Sequence, residues 1–202
     1  MITFTNLTGL ASIVILIAVI ATLIFRLLRI PQPYLTVLIG VVTVILCIPL
    51  AMNGLPPVAY LRGIIGDLSI TSVILLTVSL LKYLFDWRFF NEEKRWLLQS
   101  VIAITAVVFY PLALGMGYFD PYRLGFGNIY FLITLFVIAI AACYKRYSLL
   151  AICIALAVLA WSVGWYESTN LWNYLLDPFV AAYAIGAVIW RCGGMLLKLR
   201  RG

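Results

Sequence analysis

Residues 110–128 read YPLALGMGYFDPYRLGFGN, and they interrupt a chain that is otherwise nearly continuous hydrocarbon. The segment holds two prolines, four glycines, three tyrosines, Asp120 and Arg123. Apolar runs flank it, Leu97 to Leu114 before and Ile129 to Tyr144 after. Proline and glycine punctuate helices, and long apolar runs fill membranes. The segment therefore reads as a loop at the outer mouth of a helical membrane bundle.

Composition supports that reading. Of 202 residues, 65% are hydrophobic and 10% charged. Soluble domains carry roughly 25% charged and about 45–50% apolar residues. A surface this poor in charge faces something other than water. The net charge of +7 would suggest nucleic acid in a soluble chain. In a membrane chain it reflects basic residues gathered on the cytoplasmic side, and no nucleic-acid partner is expected. The chain has no histidine, which excludes His-ligated haem and His-based acid–base chemistry. Cys47, Cys143, Cys153 and Cys192 lie inside apolar runs without metal-ligand spacing. They read as small apolar core residues. No metal or cofactor is expected.

Seven apolar spans follow from the pattern, near residues 7–25, 34–52, 64–85, 97–114, 129–144, 148–164 and 179–197. The first has no basic residue before it, so it reads as a retained span rather than a signal peptide. The expected fold is a single all-α polytopic bundle of seven transmembrane helices. Seven crossings place the loops alternately on two sides. Arg26, Arg29, Lys82, Arg88, Lys94, Arg95, Lys145, Arg146, Arg191, Lys198, Arg200 and Arg201 fall on one side, and only Arg62 and Arg123 on the other. Basic loops stay in the cytoplasm. The N-terminus is thus expected outside and the C-terminus in the cytoplasm, in a bacterial plasma membrane. Tyr118, Tyr122, Trp165 and Trp172 gather with other aromatics at the outer boundary, where an apolar ring with a polar tip is most stable.

A parallel repeat of helical hairpins is also legible. Pro49-Leu50-Ala51 is echoed by Pro111-Leu112-Ala113. Arg62 precedes Gly66-Asp67 at the spacing with which Arg123 precedes Gly127-Asn128. Hairpin repeats are an established way to build membrane bundles.

The outward charges are few: Arg62, Asp67, Asp120, Arg123, Glu167 and Asp177. Arginine presents a fork of donors suited to phosphate or carboxylate. Arg62, Asp67, Asp120, Tyr122, Arg123 and Glu167 are therefore the candidate ligand-binding residues. The structural alternatives are salt bridges among them, and capping of a helix start by Asp67. Arg191 is expected to snorkel towards the cytoplasm. No nucleophile motif, P-loop or dinucleotide fingerprint is present.

Three functions fit these features. The first is a non-enzymatic membrane component of the cell envelope, whose outer mouth holds a partner protein or an anionic lipid or glycan head group. The second is a small transporter or lipid flippase, with Pro49 and Pro111 as kinks and the outer charges as a gate. The third is an intramembrane transferase using Asp120 or Glu167.

Overall fold

The computed structural model describes residues 4–49 and 54–199. Every regular element among them is helical. In chain order, α1 is Phe4–Leu27, α2 Gln32–Cys47, α3 Pro57–Ile65, α4 Ile70–Phe85 and α5 Glu92–Ala113. A 3₁₀ turn, Pro121–Gly125, precedes α6 (Ile129–Tyr144) and α7 (Ser148–Ser162). The short α8, Trp172–Leu175, leads into α9, Pro178–Leu199.

The helix starts follow local chemistry. Pro31 occupies the N-cap position of α2 without a side-chain cap bond, and proline is tolerated at a helix start because the first N–H groups have no intrahelical partner. The Asn91 side chain accepts from Lys94 N at 3.2 Å at the start of α5. Glu92 and Glu93 occupy the first turn, beside the positive end of the helix dipole. The Asn128 side chain accepts from Tyr130 N and Phe131 N and so starts α6.

Three expected spans are corrected. The run at 34–52 is helical only to Cys47, so Pro49 lies beyond the helix and kinks nothing; residues 50–53 lie outside the described residues. The run at 64–85 is broken. Helix α3 stops at Gly66, whose φ of +80° suits glycine alone, and α4 begins at Ile70. The segment expected to be a loop before it is largely α3, because Pro56 and Pro57 pre-set a helix start. The fourth span begins earlier than Leu97, at Glu92, behind its Asn91 cap.

Seven crossings are also more than helix length supports. Thr5–Leu27, Glu92–Ala113 and Pro178–Met195 are long and apolar enough to cross a membrane. Tyr34–Cys47, Ile70–Phe85, Ile129–Tyr144 and Ser148–Ser162 are apolar but shorter. At a rise of 1.5 Å, 14–16 residues cover about 21–24 Å of a ~30 Å hydrocarbon core.

The chain forms two compact units. The first comprises Met1–Leu68, Val73–Phe89 and Val163–Glu167. Within it, α1 packs on α2 and α3. Ile13, Val58 and Leu68 make one buried cluster, and Ala18, Leu35 and Ile39 another. Arg26 lies over the Tyr83 ring at 5.1 Å. The second unit comprises Ser69–Ser72, Phe90–Ser162 and Ser168–Gly202. There α5 packs on α9 and α7, and α6 on α7. Among the described residues, the order apolar helix, short helical piece, apolar helix occurs three times: α2–α3–α4, α5–3₁₀ turn–α6, and α7–α8–α9.

Candidate functional site

In the first unit, the last turn of α3 presents Arg62, and the turn at Gly66 brings Asp67 back beneath it. Arg62 Nε donates to Asp67 Oδ1 at 2.6 Å, and Nη2 to Oδ2 at 3.0 Å. Nη1 donates to Asn6 Oδ1 at 2.8 Å. The Glu167 carboxylate stands 3.9 Å from Nη2 and is mostly exposed, at 66%. This bidentate pairing, reinforced by the nearby charges of Asp67 and Glu167, raises the Arg62 pKa against the opposing effect of burial. Gly9 of α1 lies against the pair. A Cβ there would stand 2.3 Å from both Arg62 Nε and Asp67 Oδ1.

Asp67 is therefore a salt-bridge partner and not the expected helix cap, since α4 begins three residues later. Ser69 caps instead, with its Oγ accepting from Ser72 N at 3.1 Å. Each of the Arg62 nitrogens faces a protein oxygen, and three of its five N–H donors are engaged.

In the second unit, Asp120 accepts from Tyr122 N at 2.9 Å and starts the 3₁₀ turn. The buried Asn170 fastens that turn. Its Nδ2 donates to Tyr122 O, and its Oδ1 accepts from Trp172 N, both at 2.9 Å. Leu171 N donates to Gly125 O at 2.9 Å. Trp172 Nε1 donates to Pro121 O at 2.9 Å, while its ring lies 4.3 Å from Phe109 and 4.7 Å from Phe131. Contact is so close that a Cβ on Gly125 would fall 1.8 Å from Asn170 Oδ1. Asn173 Nδ2 reaches Tyr122 Oη at 3.3 Å and Ser168 Oγ at 2.7 Å. On this bonded platform Arg123 is exposed, and it forms no ion pair with any described residue. Phe119 and Phe126 are exposed beside it in sequence.

No protein-family model, curated protein or solved structure matches this chain. What the site can do must come from its own residues. Arg62, Asp67 and Glu167 meet within one unit; Asp120, Tyr122 and Arg123 belong to the other. No group of three or more His, Cys, Asp or Glu that would hold a metal ion occurs among the described residues.

Three residues outside the expected set hold the loops. Asn6 and Asn170 have no sequence signal, since a lone asparagine is ordinary in a loop. Asp177 has one: an Asp-Pro step before an apolar run marks a helix start. Its Oδ1 accepts from Phe179 N and Val180 N, both at 2.8 Å. Its Oδ2 accepts from Ser69 N at 2.8 Å and from Ser72 Oγ at 2.5 Å. One further expectation is corrected. Only Cys153 is buried, whereas Cys47, Cys143 and Cys192 sit on outward helix faces. Arg191 lies over the Trp96 ring at 4.7 Å, because the α5–α9 packing offers a π-face within reach.

Proposed function

We propose that this chain is a multi-pass integral membrane protein of the cell envelope, non-enzymatic, whose outer loops dock an anionic group through Arg123. The anion is a lipid or glycan head group, or an acidic side chain of a partner protein. All seven apolar helices cross the bilayer in this reading. The four shorter ones span it through snorkelling ends or local thinning. Exposed side chains such as Ile104, Phe136, Ile140 and Trp190 support it, because they are far too apolar to face water. The basic-residue count places Arg123 outside and the C-terminus in the cytoplasm.

The observation that carries the docking role is Arg123 itself, an exposed guanidinium without a carboxylate partner among the described residues, on a turn held by Asn170 and Trp172. A fork of donors on a rigid base binds planar anions with little loss of side-chain freedom. Arg62 is the contrast, since Asp67 already holds it. The test is purification in nanodiscs followed by mass spectrometry of co-purifying proteins and lipids. Arg123→Ala should release the associated species and leave the melting temperature within the ~0.5 kcal/mol range of surface changes. Retention of every species by Arg123→Ala would sink the reading.

A further inference from the structure

Helices α6 and α7 are neighbours joined by the short turn Lys145–Tyr147, so they run antiparallel. A groove of about 650 Å³ follows this hairpin. Phe136, Ala139 and Cys143 line it from α6; Ala151, Ala155 and Trp161 line it from α7. Lining positions recur every three or four residues, so one stripe of each helix forms each wall. Three of its lining residues, Ala139, Ala151 and Ala155, are small. On α6 the lining runs from Leu132 to Cys143, about 17 Å at 1.5 Å per residue. Those are 12 of the 16 residues of α6, so the slot follows most of that helix.

The two ends of the groove differ. Cys143 and Ala151 are the lining residues nearest the turn, which lies beyond that end. It presents Lys145 and Arg146, both exposed and neither in an ion pair among the described residues. Lys94 of α5 reaches the same end, with its Nζ 3.4 Å from Ser148 Oγ. Glu92 and Glu93, in the first turn of α5, are exposed and make no ion pair with these cations. The result is an apolar slot along α6 and α7 with exposed cations, unpaired among the described residues, beside its turn end.

We infer that this groove seats an acyl chain of an anionic phospholipid, with its phosphate against Lys145 and Arg146. The inference rests on the membrane-spanning reading above, but it is independent of Arg123. The full-length chain is purified from nanodiscs containing equal amounts of phosphatidylglycerol and phosphatidylcholine. Native mass spectrometry then counts the lipids it retains. Wild type is expected to keep phosphatidylglycerol in preference. Lys145→Gln with Arg146→Gln should weaken that retention roughly tenfold or more, each cation contributing about fivefold. Ala155→Trp, which obstructs the groove, should abolish it, while Arg88→Gln and wild type should behave alike. Unchanged retention in either groove variant overturns the inference, as does equal retention of both lipids by wild type. A dimer of the chain that Ala155→Trp dissociates, without change in bound lipid, overturns it in favour of a second copy. Recovery of the chain outside the membrane fraction would overturn the spanning reading too; recovery inside it with unselective lipid overturns this inference alone.

Discussion

Arg62 illustrates how a charge suited to ligand binding is turned to internal use. Its side chain is 16% exposed and that of Asp67 is 23%, and their forks face each other at 2.6 and 3.0 Å. Removing one partner leaves the other half-buried and unmatched, which costs about 1–3 kcal/mol. Gly9 belongs to the same arrangement, because its missing side chain is the space the pair occupies. Gly9→Ala and Arg62→Ala should each lower thermal stability in detergent by about that amount. Combined, they should cost well under the sum, since both remove one interaction. Strict additivity in the melting series would show that Gly9 and Arg62 act separately. Asp177 shows the opposite outcome for a buried acid: four donors satisfy its two oxygens, so its burial needs no cation.

Among the elements, the 3₁₀ turn and α8 depend on one another most closely. Neither has enough residues to be stable alone. Asn170 lends the turn a donor and α8 an acceptor, and Trp172 fills the space between Phe109 and Phe131. Asn170→Ala should raise amide hydrogen exchange across Pro121–Gly125 and Trp172–Leu175 together, leaving α6 protected. Gly125→Ala should do the same more strongly, because its Cβ collides with a bonded side chain. Exchange confined to one of the two segments would show that they open independently. Gly66 and Gly127 both have positive φ, +80° and +79°, and each follows its arginine by four residues. One arginine ends an α-helix and the other sits in a 3₁₀ turn.

For the whole molecule, the proposal of seven crossings makes a sided prediction. In a background lacking the native cysteines, Tyr118→Cys should react with a membrane-impermeant maleimide on intact cells. Arg146→Cys should react only after the membrane is broken. Labelling of both from one side would remove a crossing between them and with it the alternation of basic loops. The two short helices between these positions and the next loop, α6 and α7, are 16 and 15 residues. Their reach, about 22–24 Å, is less than the ~30 Å core.

The helical class and the positions of the apolar segments were readable from residue order, because hydropathy and proline–glycine punctuation are local properties. Ile129–Tyr144 is found with the expected boundaries, as its start is marked by Asn128 and its end by Lys145-Arg146. The break at Gly66 was not readable, since a glycine in an apolar run looks alike whether it sits in a helix or ends one. Nor was the division of the six candidate residues into an Arg62 group and an Arg123 group. Which carboxylate meets which guanidinium depends on how the chain folds back. Asn6 reaches Arg62 across 56 positions, and Asn170 reaches Tyr122 across 48. Contacts at such separation leave no local pattern, because nothing in a short window encodes which distant backbone will arrive.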